Sequence, residues 1–313
     1  FSIQFVFAKL IAETRNDIIH KHVTYNMKKI AHIFIILIFI WTISCKNNNS
    51  PSKQIHKITF NQDESKLNCE LIFPNPKTNT SLIKLNEKYR LNLMITDSKN
   101  DIDKAFILMD WTHNQWKHNG NNNSKESNAL NILERANNGE RFRCVEYGIV
   151  LSATLNSISI PTRTLGLKTK DVETTKYGAG HVVSEAYIPD LKKWVFMDPQ
   201  INYIPYLNGI PLNAVEYQKA IIENKQAIEL RNHNGVIDKE KAFGQINWIG
   251  KYLYYFDVSF DSSKNRINCH KKNKLMLVPI NAKEPTVFQI NSKMTNYLYT
   301  NNLNDFYKEP KIL

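Results

Sequence analysis

The stretch from Glu140 to Gln200 constrains this chain more than any other. It opens on Glu140-Arg141-Phe142-Arg143-Cys144-Val145-Glu146-Tyr147-Gly148 and closes on Trp194-Val195-Phe196-Met197-Asp198-Pro199. The pattern predicts that a cysteine enters a helix, that a histidine opens a strand and that an aspartate ends the next strand. A thiol is a useful nucleophile only as its thiolate, and a helix N-terminus beside an imidazole is the usual means of favouring that form. Cys144, His181 and Asp198 are therefore the candidate nucleophile, base and orienter. Taken singly, each has a plainer account: a buried structural cysteine, a structural histidine and an ordinary turn aspartate before proline.

The elements around this stretch are legible from periodicity. Ile102, Ala105, Phe106, Met109 and Trp116 recur at helical spacing, with Asp101 as the expected cap. After a polar loop, His118 to Glu126, a second helix is expected from about Asn128 to Ala136, ending before Asn137-Asn138-Gly139. The third should begin at or just before Cys144 and run through Leu155, presenting Val145, Gly148, Ile149, Ser152 and Ala153 as a stripe of mostly small residues that packs closely on a sheet. Strands follow at Thr162 to Leu167, at His181 to Ile188 and at Trp194 to Asp198. Helix followed by consecutive antiparallel strands makes the fold class α+β.

Strand parity adds a test. His181, Val183, Glu185 and Tyr187 share one face of their strand, so Asp198 joins His181 only if its cross-strand partner is odd-numbered. A four-residue loop, Pro189 to Lys192, pairs Asp198 with Val183, and a two-residue loop pairs it with His181. An odd loop turns it to the wrong side unless a bulge intervenes.

Outside this core the expectations are coarser. Residues 46–100 read as a polar tether followed by two short strands between Ile55 and Phe73. Residues 201–313 read as a helix reaching about Leu230 and then a β-rich, aromatic extension that includes Trp248-Ile249, Tyr252 to Phe256 and Lys274 to Ile280. The extension is expected to pack on the core at 101–200 or to shape a cleft.

The N-terminal region is expected to be a targeting segment. Met27-Lys28-Lys29-Ile30 reads as a translation start, which makes 1–26 an upstream segment. The apolar run Ile33 to Trp41 then leads to Thr42-Ile43-Ser44-Cys45. A basic start and an apolar run too short to span a bilayer comfortably describe a secretory signal. Ser44-Cys45 followed by Lys46-Asn47-Asn48-Asn49-Ser50 resembles a bacterial lipoprotein processing site, although Thr42 stands where leucine is usual. Lipidation at Cys45 would give an exported protein held on a membrane of the bacterial envelope, periplasmic or at the surface. The plainer account is an uncleaved anchor with an incidental cysteine.

Without residues 1–44, which hold five Lys/Arg and two Asp/Glu, the formal charge falls from +12 to +9. The lysines are scattered among asparagines with no aromatic-basic alternation, so a nucleic-acid partner is not expected. Of the four cysteines, Cys69 and Cys269 remain once Cys45 and Cys144 are assigned, and an oxidising compartment would permit them to pair. No CxxC spacing is present, Cys269-His270 is too isolated for a metal site, and no cofactor is called for.

Gly139 to Cys144, Ile160-Pro161-Thr162-Arg163, Gly180-His181-Val182-Val183-Ser184-Glu185-Ala186-Tyr187 and Trp194 to Pro199 together resemble the transglutaminase-like superfamily. The resemblance covers about residues 100–200 and implies a papain-like core, with the nucleophile's helix packed on an antiparallel sheet. Val182 departs from the Trp or Ala usual after the family's histidine. The implied activity is cysteine-dependent acyl transfer on an amide through a thioester, with hydrolysis of a peptide or cell-wall-type amide first. A cross-linking transglutaminase and a catalytically silent envelope scaffold are the alternatives. The implied partners are a peptide or protein substrate, including peptidoglycan, and the membrane through Cys45; the oligomeric state is open.

Gln115 and Trp116 are candidates for a second oxyanion donor beside the Cys144 amide. Arg143, with Arg141, is a candidate grip for a substrate carboxylate, or else part of a solvated loop. Glu185 is a further candidate contact, or forms an ion pair with Arg163 behind the site.

Overall fold

A computed structural model of the chain describes residues 54–124, 128–263 and 269–313. The expected upstream segment, the signal segment 27–45 and Cys45 lie outside the described residues. All described residues fall within one compact unit, Asn49–Leu313.

In chain order the elements that position the site begin with a short strand β1 (Ile72–Phe73). Among the helices that follow, four longer ones are α1 (Thr80–Tyr89), α2 (Asp101–His113), α3 (Ala129–Asn137) and α4 (Cys144–Ser157). Three strands come next, β2 (Thr162–Lys168), β3 (Gly180–Ile188) and β4 (Lys193–Met197). The rest comprises β5 (Ile204–Leu207), α5 (Ala214–Glu223), β6 (Ile228–Asn232), α6 (Lys239–Gly250), β7 (Tyr255–Ser259), β8 (Lys274–Leu277) and β9 (Tyr297–Thr300). Side-chain amide caps start three of the helices α1 to α4: Asn79, Asn100 and Asn128 each accept from a first-turn N–H. Asn100, one residue before the expected Asp101, therefore opens α2.

The main sheet has six strands in the order β9-β8-β7-β2-β3-β4. Its centre is antiparallel, and only the outer β8–β9 pair is parallel. The C-terminal residues thus continue the same sheet. On β3 and β4 the two faces have different partners. Ala186, Ile188, Val195 and Met197 pack under the helices, whereas Val183, Trp194 and Phe196 pack against α5, α6 and the chain near Tyr252.

Helix α4 lies on β2 and β3 where its small residues allow it. A Cβ on Gly148 would stand 3.1 Å from both Val182 Cγ1 and the Val183 carbonyl. Ser184 Oγ donates to the Gly148 carbonyl at 3.2 Å, and Ser152 and Ser184 hydroxyls meet at 3.3 Å.

Several outer expectations are corrected. Between Ile55 and Phe73 only Ile72–Phe73 is a strand. Ile58, Phe60 and Leu67 pack on the core from irregular chain, whose carbonyls at Thr59 and Asn61 accept from Ile280 and Leu303 N–H groups at 2.9 Å. The helix after Pro211 ends at Glu223, not near Leu230, because Ile228 and Leu230 alternate with exposed Glu229 and pair with β5. Trp248-Ile249 belongs to helix α6, whose Ala242, Ile246 and Ile249 are buried at helical spacing behind the Asp238 cap. Cys69 and Cys269 form a disulfide across a sequence separation of 200, with Cα atoms 5.9 Å apart.

Candidate active site

The start of α4 is fixed from three sides. Phe142 is fully buried and meets the Trp116 ring edge-on at 5.6 Å. The Tyr147 hydroxyl donates to the Trp116 carbonyl at 2.7 Å. Glu146, itself 1% exposed, accepts from the Arg143 backbone N–H at 3.1 Å, from the Arg143 guanidinium at 2.9 Å and from the Ser124 N–H at 3.3 Å. An acidic side chain in the first turn satisfies free amides and complements the helix dipole. Cys144 is consequently held as the first helical residue, half-buried, where the leading N–H groups have no acceptor within the helix.

His181 is the second residue of β3. The link from β3 to β4 is Pro189 to Lys192, four residues, and Ser184 faces Met197. Continuing that register sets Asp198 opposite Val183, on the His181 face, one of the two even-loop outcomes that parity allows. His181 Nε2 and Asp198 Oδ2 are 2.9 Å apart, with both residues buried. The other carboxylate oxygen, Oδ1, accepts from the Gln200 and Ile201 N–H groups at 3.0 and 3.1 Å. Asp198 therefore closes the turn and hydrogen-bonds the imidazole at once.

Cys144 and this imidazole line the same cleft, and the thiol group acts on the His181 electrostatics. Burial works to lower the His181 pKa, but the Asp198 charge and hydrogen bond, helped by Cys144, override it and hold the pKa up at about 10. The imidazole is thus stabilised in its protonated form, chiefly by Asp198.

Residues outside the site candidates of the sequence complete the surroundings. Trp248 and Tyr252, from α6 and the turn after it, meet the His181 ring at 4.9 and 5.9 Å. Burial, then the Cys144 charge, pushes the Tyr252 phenol up to about 12. His118, from the loop after α2, is lowered by burial and then by the charge of His181. A cleft of about 1220 Å³ is lined by Cys144, His181, His118, Gln200, Trp248 and Tyr252, among others. A lone histidine in a polar loop and a tryptophan on a distant helix carry no pattern linking them to Cys144.

The remaining candidates fall elsewhere. Gln115 donates its amide to the Trp111 carbonyl at 2.8 Å, and Trp116 is packed against Phe142 and Tyr147. Neither is among the residues lining the cleft, and the Trp116 indole N–H is buried with no hydrogen-bond partner among the described residues. Arg143 does line the cleft, but its guanidinium is engaged by Glu146 and by Asn123 at 2.8 Å.

Glu185 is corrected from substrate contact to buried anchor. It is 0% exposed, and its Oε2 accepts from Arg163 Nη2 at 2.7 Å. Its Oε1 accepts from the Ala214 N–H and the Tyr307 hydroxyl at 2.9 and 3.0 Å. The Sγ and ring atoms of Cys69, Cys269 and His270 lie within 4.8 Å of one another, yet the two sulfurs are bonded together and are not metal ligands.

Among solved structures the chain is similar to a provisionally named cysteine protease from Cytophaga hutchinsonii, at 20% identity over 41% of this chain and 40% of that one, TM-score 0.31. It is also similar to a provisionally named protease from Parabacteroides distasonis, at 16% identity over 52% of this chain and 28% of that one, TM-score 0.30. The chain thus matches less than half the length of either. No curated protein matches it. The family model of the transglutaminase-like superfamily matches residues 90–199, a span that begins before α2 and ends one residue beyond Asp198. The matched span takes in Cys144, His181 and Asp198.

Proposed function

We propose that this chain is a cysteine-dependent enzyme that hydrolyses a peptide or cell-wall-type amide through a thioester. The observation that carries the reading is that Cys144, at a helix start, and His181 share the wall of one cleft, with Asp198 hydrogen-bonded to the imidazole behind it. The Cys144 thiolate attacks the amide carbonyl, and the developing oxyanion is met by the Cys144 backbone N–H at the helix start. Protonated His181 gives its proton to the leaving amine as the C–N bond breaks, leaving the acyl group on sulfur. Water then attacks the thioester, its proton passing to His181, and the acid departs as the thiolate re-forms. Asp198 holds the imidazole orientation throughout and gains no proton. Hydrolysis is favoured over cross-linking because water needs no binding site of its own.

The test is a panel of peptides, peptidoglycan fragments and glutamine-plus-amine pairs, incubated with wild type and Cys144→Ala and followed by mass. Wild type should release cleaved products and Cys144→Ala none. Turnover that survives Cys144→Ala removes the mechanism, and amine incorporation in place of hydrolysis makes the enzyme a cross-linker. A thiol alkylator near neutral pH should label Cys144 rapidly in the oxidised protein, and slow labelling would contradict an activated thiol.

The reading extends to location: an exported protein tethered through a lipidated Cys45. The residue pattern at 27–45 and the Cys69–Cys269 disulfide, which suits an oxidising compartment, support it. Cell fractionation tests it, with wild type in the membrane fraction and Cys45→Ser released or unprocessed.

A further inference from the structure

The cleft that holds Cys144 continues along the sheet to a group of buried charges that the amide chemistry does not use. Lys168, on β2, is opposite Gly180, the neighbour of His181. Its ammonium is hydrogen-bonded to Asp257 Oδ2, and both side chains are more than nine-tenths buried. Asp257 Oδ1 accepts from the Tyr297 hydroxyl at 3.3 Å and has Lys274 Nζ at a looser 3.6 Å. Lys274 is 40% exposed. All four residues line the cleft.

The sheet is shaped to hold this group. A Cβ at Gly166 would stand 2.2 Å from Asp257 Oδ2, so the absent side chain is what leaves room for the carboxylate. The charges do not balance, since two ammonium groups share one carboxylate. The buried pair of Lys168 and Asp257 is matched, and the unmatched charge is that of Lys274, which is open to the cleft. Burial, then the charge of Lys274, draws the Lys168 pKa down against the opposing pull of Asp257. Lys274 keeps donors to spare, because an ammonium has three and its Asp257 and Tyr297 partners lie at 3.6 and 3.5 Å.

We propose that Lys274, backed by Lys168 and Asp257, forms a subsite that receives a carboxylate of the peptide substrate a few residues from the bond cleaved at Cys144. A carboxylate supplies the negative charge the group lacks, and its hydrogen bonds to Lys274 are of the strong, charge-assisted kind. From β3 to β8 is three strand steps, roughly 14 Å at about 4.8 Å per step, and the registers set Lys274 in the row of Ser184, three residues along from His181, so the span is roughly 17 Å or about five residues of extended peptide. Both a C-terminal carboxylate and an acidic side chain have this chemistry. The proposal rests on the amide-hydrolase reading above.

The experiment uses synthetic peptides turned over by the wild-type chain, each made as free acid and as C-terminal amide, with a parallel set in which one internal Glu is exchanged for Gln. The free acid, or the Glu peptide, should have a kcat/KM about tenfold above its neutral twin. Added salt should shrink this advantage, and Lys274→Glu should reduce the ratio to one or below. Which set shows the effect distinguishes a chain terminus from a side chain. Equal kcat/KM within both sets, or a ratio that Lys274→Glu leaves intact, overturns the subsite while leaving Cys144-dependent hydrolysis standing. If no peptide is cleaved, the hydrolase reading fails by itself. Calorimetric binding of the same pairs to Cys144→Ala and to Cys144→Ala/Lys274→Glu then decides the subsite, which is overturned if acid and neutral twins bind alike.

Discussion

His181 and Asp198 meet across β3 and β4 at 2.9 Å, nitrogen to oxygen, because the turn between their strands has an even number of residues. One residue more or fewer in Pro189 to Lys192 would rotate Asp198 to the helix side of the sheet. The imidazole would then stand against Trp248 and Tyr252 with no carboxylate to hold it.

Asp198→Ala should therefore lower kcat by roughly 10²–10⁴-fold without abolishing turnover, since Asp198 orients the base and takes part in no bond exchange. Steady-state kinetics beside Cys144→Ala check this. Equal, complete loss in both variants would contradict the division of roles.

The His181 proton should appear in the stability of the protein. Its pKa rises from 6.5 in the free side chain to about 10 in the fold, so the folded state holds a proton there that the unfolded chain gives up. The stability this group contributes is complete below pH 6.5 and is lost as pH climbs through 10. Urea midpoints measured from pH 6 to 10 should fall in wild type and fall less in His181→Gln. Parallel curves would show that Asp198 does not hold the proton.

Gly148→Val should harm catalysis by displacement. The new side chain meets Val182 and the Val183 carbonyl, which a single Cβ already approaches to 3.1 Å. Relief requires α4 to lift from β3, carrying Cys144 away from His181. Overpacking of this kind typically costs about 1–3 kcal/mol, and a small misplacement of a nucleophile can cost about 10²-fold in rate. Denaturant unfolding and kcat measured on the folded fraction separate the two effects; unchanged kcat would mean that the helix does not set the thiol's position.

Glu185→Ala should destabilise by about 3–5 kcal/mol, because it leaves Arg163 charged and buried without its partner. Arg163 also donates to the Phe306 carbonyl at 2.8 Å and lies over the Trp194 ring at 4.2 Å, so the C-terminal residues should loosen as well. Urea unfolding reads the first effect and hydrogen exchange near Phe306 the second. A cost below about 1 kcal/mol would assign this network a minor part in holding the tail.

Local chemistry made much of the core legible. Helix α4, strands β2 to β4, the four-residue turn as one permitted option and the trio of Cys144, His181 and Asp198 all follow from period, caps and parity, which depend on residues near one another in the chain. The limits appear where partners are distant. Lys168 and Asp257 form one ion pair, and Trp248 stands on His181, yet no spacing connects these positions. Ile228 to Leu230 extends a helix in sequence but pairs with β5 once that strand is present. Glu185 is expected either at the substrate or paired with Arg163, and the arrival of Ala214 and Tyr307 beside Arg163 decides for the pair. Side-chain direction and local conformation are set by the neighbouring backbone; what each side chain then faces is set by the packing of segments brought together from the whole chain, and that packing alone decided the cleft's far wall and its charge.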